Sequence, residues 1–402
     1  MSPISLDVSC LCGAVAQQVK SRGSSDAVTI ELSIGHSDMD RHATGILCAS
    51  YYPIGEPDVS KGTAAHDGAD GWTRFFCLTC GCHVFRRKTA AGQAEWEAAT
   101  GVLVSSTGDN ADDGDGDARF AKHTSVSDTK DGGLSVWLPQ IDGRALEAAT
   151  QDADPAAKER AHSSPLPPLS SLVPANTLPA SCACGRVSFH ITRPDERSQL
   201  PHSGFPDLQY AACSHSADFM SNPEKVRWWI RADGTKYLAG TCACRSCRLI
   251  SGFEIQTWAF VPRENIVFHV PGPDGSSLYS YSSSSSSSAG TGAISLPLDF
   301  ATLPAGILRT YESSPGVLRE FCGACGATVF WHDKWRPDVI DVSVGLLRAQ
   351  EGARAESWLD WWTDRCSFEE ETETGRTGEP SRIARKLVDG LERGLRSWAQ
   401  SR

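Results

Sequence analysis

The spacing of the cysteines limits what this chain can become more than any other feature. Fifteen stand at positions 10, 12, 48, 77, 80, 82, 182, 184, 213, 242, 244, 247, 322, 325 and 366. Random placement would give about half a pair at any one short spacing. Instead there are four C-x-C and three C-x-x-C pairs, and they repeat in order. Cys10-Leu-Cys12-Gly13 matches Cys182-Ala-Cys184-Gly185. Phe76-Cys77-Leu-Thr-Cys80-Gly81, with Val84-Phe85 after it, matches Phe321-Cys322-Gly-Ala-Cys325-Gly326, with Val329-Phe330 after it. Trp96-Glu-Ala-Ala-Thr-Gly101-Val-Leu103 lines up with Ile340-Asp-Val-Ser-Val-Gly345-Leu-Leu347. The chain therefore reads as two copies of one unit, the second lengthened by insertions before and after Cys242.

The copies are expected over residues 1–150 and 180–370, with a linker over 151–179 and a tail over 371–402. The linker carries Pro155, Pro165, Pro167, Pro168, Pro174 and Pro179, a composition that favours an extended connector. Tyr281 and the serine run 282–288 read as a low-complexity loop inside the second copy. The stretch 109–117, DNADDGDGD, fails the EF-hand pattern, because an alanine falls at a required carboxylate and no glutamate closes the loop; it reads as a solvated acidic loop. Short β-branched or alternating runs over 27–34, 187–192, 226–230, 256–261, 266–270 and 339–344 predict an all-β fold. In the tail, Ile383, Leu387, Leu391, Leu395 and Trp398 share one helical face, after Glu379-Pro380-Ser381 as a start signal. This predicts an amphipathic helix packed on the second copy.

Composition narrows the partners. Lys+Arg is 38 and Asp+Glu is 49, so the net charge is 38 − 49 = −11. No global positive field draws in polyanions, so neither nucleic acid nor an anionic membrane is an expected partner. No run is apolar for long enough to span a bilayer. The start, MSPISLDVSCLCG, has no basic stretch followed by an apolar one, so a cytoplasmic location is expected. In a reducing compartment, many cysteines point to metal or redox chemistry rather than to a disulfide framework.

The pairs have the chemistry of metal knuckles. In an extended C-x-C, residues i and i+2 face the same side. A C-x-x-C followed by glycine makes a tight turn, with glycine free to take positive φ. Two such pairs give a closed, four-thiolate tetrahedral site of the structural zinc kind. The expected sets are Cys10, Cys12, Cys77 and Cys80 in the first copy, and Cys182, Cys184, Cys322 and Cys325 in the second. The second copy adds Cys242-Ala-Cys244-Arg-Ser-Cys247. Three thiolates leave one position open, as in catalytic zinc sites, unless Cys213, His215, His332 or Cys366 closes it. In the first copy the corresponding string reads as Cys48-Ala-Ser50-Tyr-Tyr-Pro53, with a single thiol surviving. One open site per chain is therefore expected, in the second copy.

With these residues the chain resembles the glutathione-dependent formaldehyde-activating enzymes, which share a domain with centromere protein V. The residues that carry the likeness are Cys182/Cys184, Cys242/Cys244/Cys247 with Ser251-Gly252 after them, Phe321-Cys322/Cys325-Gly326, and Val342-Ser-Val-Gly345-Leu-Leu347. The match runs over 181–362 and, more weakly, over 8–141. The resemblance implies two zinc-stapled, β-tent-like domains. It also implies carbon–sulfur lyase activity, the reversible addition of a small thiol such as glutathione to formaldehyde or a small aldehyde. Cys242, Cys244 and Cys247 would form the catalytic centre, with the incoming sulfur on the open metal position. Arg245, Arg248 and Ser246 would contact glutathione carboxylates, and Glu254 would shuttle a proton. The insertion over 192–237, with Cys213-Ser-His215 and Trp228-Trp229, departs from the family pattern at a place where it can lid or block the site. A non-catalytic zinc scaffold is the competing reading, with Trp358-Leu-Asp-Trp361-Trp362 as a partner surface or as internal packing. A redox sensor built on the triplet is a third.

Overall fold

The computed structural model describes residues 4–22, 29–90, 92–107, 118–148, 174, 176–271 and 293–402. The acidic stretch 109–117, the serine run 282–288 and most of the linker 151–179 lie outside the described residues. The chain is mostly β-sheet with few helices.

The repeat read from the cysteines is also a repeat of sheet order. In the first half, strands Ile30–Gly35, Ala49–Ile54, Gln93–Ala99, His83–Ala90, Thr73–Cys77 and Thr63–Asp67 pair in that order, each antiparallel to the next. In the second half, Lys236–Cys242, Gln256–Pro262, Val339–Ser343, Thr328–Asp333, Val317–Cys322 and Leu308–Ser314 do the same. Each path is extended by a parallel strand, Ala118–Thr124 beside Ile30–Gly35 and Leu359–Trp361 beside Lys236–Cys242. A smaller sheet accompanies each: Ala16–Lys20, Ser5–Ser9 and Leu103–Thr107 in the first half, and Thr177–Ser181, Ser188–Thr192, Ile266–Pro271 and Ala293–Pro297 in the second. Ser5–Ser9 alternates, with Leu6 and Val8 inward, as a strand with one wet face does. Gln256–Pro262 is buried at every position and so shows no alternation.

The run 226–230 is not the expected strand; only Ile230 and Arg231 pair. Trp228 and Trp229 override the local preference. Their indole N–H groups donate to the Ser203 and Ser198 carbonyls at 3.4 and 2.9 Å, and both rings are buried.

The halves pack against each other through equivalent contacts. The Gly101 N–H donates to Gly252 O at 3.0 Å, and the Gly345 N–H donates to Gly45 O at 3.2 Å. Phe76 lies on Gly326 and Phe321 lies on Gly81. A Cβ at Gly326 would fall 2.4 Å from Phe76 Cγ, and one at Gly81 would fall 2.5 Å from Phe321 Cγ. Each glycine therefore does two jobs: it closes its own knuckle at positive φ and admits the other half's ring. One continuous core holds Phe85, Val102 and Ile46 together with Phe330, Val344 and Phe253.

The tail helix spans Gly378–Gln400, with Ile383, Leu387, Leu391 and Leu395 buried. It touches the second copy, Glu392 accepting from the Cys366 N–H at 2.8 Å, but its main packing is not there as expected. It crosses back over the first, against strands Leu103–Thr107 and Ala118–Thr124 and the turn Gly133–Trp137. Glu379 accepts from the Ala118 N–H, and Trp398 meets Trp137 at 5.7 Å. Helical periodicity defines an apolar face but carries no information about its partner. Trp361 serves packing here, edge-on to Trp137 at 4.6 Å. The closest approach is at Gly394, where a Cβ would sit 1.7 Å from the Trp137 carbonyl oxygen. Gly394→Ala is expected to cost about 2 kcal/mol or more by overpacking. Thermal unfolding should show a clear fall in Tm beside an unchanged Arg393→Ala control at an exposed position of the same helix.

Candidate metal centres and their cavity

Two four-thiol clusters assemble as the spacing predicts, Cys10/Cys12/Cys77/Cys80 and Cys182/Cys184/Cys322/Cys325. Their backbones match bond for bond. The Cys10 N–H donates to Val15 O at 3.0 Å and the Cys182 N–H to Val187 O at 3.1 Å; the Gly81 N–H donates to Cys77 O and the Gly326 N–H to Cys322 O, both at 2.9 Å. In the second cluster Cys182, Cys184 and Cys322 sulfurs lie 3.5–3.7 Å apart. That is far beyond a disulfide bond. It is close to the edge, about 3.8 Å, of a tetrahedron with ~2.3 Å metal–sulfur bonds. Backbone N–H groups of Val187, Val15 and Thr79 point at the sulfurs of Cys182, Cys10 and Cys77, each at 3.4 Å. Hydrogen bonds from Cys182, Cys184 and Cys325 hold the Cys322 thiol far below its ordinary range. The donor set is thus that of a closed metal site.

The third cluster is Cys242, Cys244 and Cys247, with the three sulfurs within 4.8 Å of one another and all three residues buried. Cys242 ends strand Lys236–Cys242. Cys244 caps helix Arg245–Ser251, its Sγ accepting from the Cys247 N–H at 3.3 Å, and Cys247 lies in the first turn. Among the described residues no further His, Cys, Asp or Glu joins the group. His332 bonds Glu320 at 3.1 Å and stacks on Phe300 at 4.0 Å. His215 bonds Ala211 O at 2.9 Å among Tyr210 and Phe219, and Cys213 is exposed. The Cys366 thiol is buried and raised above its usual range by that burial.

Spacing alone did not reveal Arg319. It is buried, with Nη1 3.6 Å from Cys247 Sγ, Nη2 2.8 Å from Ser246 Oγ and Nε 3.2 Å from Ser313 Oγ. Hydrogen bonds from Cys242 and Cys244, and then this guanidinium, hold the Cys247 thiol well below its ordinary range. A dication on three thiolates carries a surplus negative charge, and a fixed guanidinium beside one sulfur offsets it. Arg319→Met is expected to weaken metal binding at the triplet about 10- to 100-fold while the four-thiol clusters stay loaded. Competition with a chromophoric chelator would measure this, and Arg319→Lys should recover part of the loss.

Two of the expected binding residues lie elsewhere. Arg248 is buried and faces away from the cavity described below, its Nη1 donating to Gly101 O at 2.5 Å and its Nη2 to Thr374 O at 3.1 Å. Burial lowers its pKa to about 9. Arg245 is exposed beside Gly375, and its backbone N–H donates to Glu371 at 3.1 Å. Glu254 is buried between Thr100, at 2.8 Å, and Arg376, at 3.4 Å. These three join the halves and the tail. Ser246 does line the cavity.

The first half holds the counterpart of the triplet, but not at Cys48. Strand Ile30–Gly35, cap Ser37, helix Asp38–Thr44 and Gly45 in left-handed conformation match Lys236–Cys242, cap Cys244, Arg245–Ser251 and Gly252. Gly35, Ser37 and Asp40 therefore stand where Cys242, Cys244 and Cys247 stand. Cys48 lies three residues beyond Gly45, at the position equivalent to Ile255 in the second half, and is buried. Ser37 Oγ accepts from the Asp40 N–H at 3.0 Å, the same cap in oxygen. Arg74 replaces Arg319, each three residues before its knuckle's first cysteine, and reaches Asp40 at 2.6 Å and Asp70 at 2.5 Å. Arg86 bonds Glu97 at 2.5 Å and lies 3.7 Å over Tyr51 and 4.0 Å over Trp72. Although burial opposes it, Arg74 and Arg86 hold the Asp40 carboxyl below its usual range. A carboxylate stands in the thiolate's place opposite the equivalent arginine, and Arg86, packed over Tyr51 and Trp72, lies 3.7 Å from it.

Above the triplet, in contrast, lies a cavity of about 550 Å³. Its walls include Trp258, Trp331 and Phe368, with Arg336 and Asp341 paired on one side. Burial raises the Asp341 carboxyl to about 6 against the pull of Arg336. The insertion over 192–237 supplies another wall, Gly204 to Leu208. Asp207 ties it down, accepting from the Phe368 N–H at 2.7 Å and from Ser367 Oγ at 3.1 Å. The insertion therefore shapes the cavity without filling it. Among the described residues no helix is long and apolar enough to cross a membrane. Compared with protein families, with curated proteins and with solved structures, the chain finds no match.

Proposed function

We propose that the protein is a zinc-dependent carbon–sulfur lyase of the formaldehyde-activating type, joining a small thiol reversibly to formaldehyde or another small aldehyde at the second half's triplet. The observation that carries this reading is the contrast among the three cysteine clusters. Two are closed sets of four, whereas the third has three buried thiols, no fourth protein ligand among the described residues and an open cavity above it. Cys242, Cys244 and Cys247 would hold the metal, which supplies a binding position that keeps an incoming thiol deprotonated at neutral pH.

The chain's own residues do the rest. Arg319 offsets the thiolate charge and, through Ser246 and Ser313, fixes the side of the cavity next to Cys247. Trp258 and Trp331 exclude water from the sulfur side. When the sulfur–carbon bond forms, the carbonyl electron pair moves to oxygen and a proton must arrive there. Asp341, with a carboxyl near 6, can hold that proton close to neutral pH and take it back in reverse. The sum is thiol plus aldehyde to hydroxyalkyl thioether, with no change in oxidation state. The first half, its equivalent position closed by Asp40 and Arg74, is the non-catalytic half and acts as scaffold.

The test pairs metal counting with turnover. Wild type is expected to hold three zinc ions, one per cluster, and to consume aldehyde only with a thiol present. A Cys242/Cys244/Cys247 triple alanine variant should hold two and consume none. Two ions in wild type together with no thiol-dependent turnover would refute the lyase reading.

A further inference from the structure

We infer that the thiol taken by this cavity has an aromatic or apolar body without carboxylates, so that glutathione is a poor substrate; this rests on the lyase reading above. Charge matching carries the inference. Among the described residues, the lining holds four carboxylates, Asp207, Asp333, Asp341 and Glu371, and two guanidiniums, Arg319 and Arg336. Both cations are already engaged. Arg336 is bound to Asp341, and the three guanidinium nitrogens of Arg319 face Cys247, Ser246 and Ser313. Behind the wall, Arg365 is matched to Asp207 at 3.3 Å. Asp333 and Glu371 have only backbone N–H groups for partners here, those of Trp335 and Arg336 at 2.9 and 2.6 Å and of Arg245 at 3.1 Å. Lys334 lies over Trp335, 4.6 Å from its ring, and is not part of the lining.

A dication on three thiolates adds one further negative charge. A tripeptide with two carboxylates would thus enter a negative, partly desolvated space with no free cation among the described lining residues to receive either group, which costs affinity for each. The aromatic walls supply what the charges do not. Phe205, Trp258, Phe260, Trp331, Trp335 and Phe368 line the cavity, and Trp335, at the rim, is 64 % exposed. An apolar or aromatic body gains contact with these rings, and a cationic one gains cation–π attraction as well. The volume of about 550 Å³ accommodates a ligand of that size.

The test uses a matched pair, benzyl mercaptan and 4-(mercaptomethyl)benzoate, with glutathione beside them. Calorimetry on the metal-loaded protein gives the affinities. Cobalt substitution reports, through its sulfur charge-transfer band, whether each sulfur reaches the triplet. Benzyl mercaptan is expected to bind about tenfold or more tightly than its carboxylate twin, with glutathione weaker than benzyl mercaptan. Glu371→Gln should narrow the gap between the pair about three- to tenfold, since it removes one charge and keeps an acceptor for the Arg245 N–H. Tighter binding of glutathione or of the benzoate overturns the charge inference and leaves the lyase reading standing. A cobalt spectrum that no thiol alters overturns both.

Discussion

Cys322→Ser is expected to unfold both halves of the molecule. Cys322 joins strand Val317–Cys322 to its knuckle and lies within reach of Cys182 and Cys184, which come from the start of the second copy. The cluster staples segments 138–140 residues apart in sequence. Structural zinc of this type contributes about 10–16 kcal/mol of apparent binding free energy. A whole domain commonly has only about 5–15 kcal/mol of net stability. Losing one ligand opens the closed set and weakens that binding, and loss of the ion would remove about as much as the fold has to spare. The damage spreads because Phe321, next to Cys322, is the ring seated on Gly81 of the first half's knuckle, and because the core is shared. Near-ultraviolet circular dichroism should lose its signal in one transition, and a strong chelator applied to wild type should give the same result. Cys366→Ser, a buried thiol outside every cluster, should cost far less. A first half that keeps its own separate transition in Cys322→Ser would refute the coupling.

The clusters were legible in the sequence because the physics that builds them is local. A C-x-C in a strand and a C-x-x-C-G turn fix their sulfurs within a few residues, so spacing alone gave two closed sets and one open one. The β-rich class followed from short alternating runs for the same reason. What was not legible depended on partners distant in the chain. The tail's apolar face showed that a helix would form, but the half that receives it is decided by how closely Gly394 can approach Trp137. Arg248 and Glu254 read as polar groups near a site, although their partners, Gly101, Thr374, Thr100 and Arg376, are 122–154 residues away or in the tail. The cysteine string at Cys48 does not mark the first half's counterpart of the triplet. The chain preserved something else there: a cap, a seven-residue helix, a left-handed glycine and an arginine. A search for S-x-x-D opposite S/C-x-x-C, with Arg three residues before each knuckle, would have found it.

That equivalence sets the last expectation. Cys244→Ser is expected to leave the fold almost intact and to abolish turnover. Serine keeps the helix cap, as Ser37 does in the first half at 3.0 Å. It removes a thiolate from a set of three, which leaves too few ligands for a stable ion. The measured metal content should drop from three to two, and Tm should change by a few degrees at most. Cys244→Ala loses the cap as well and should be less stable by about 1 kcal/mol, so the two variants separate the capping role from the metal role. The doubly substituted Cys244→Ser, Cys247→Asp goes further, because it copies the first half's Ser37 and Asp40 and sets a carboxylate opposite Arg319. Arg319 then has the partner that Arg74 has, and the variant should be at least as stable as Cys244→Ser alone, with two metal ions and no activity. Turnover retained in Cys244→Ser would mean that the triplet is not where the chemistry occurs.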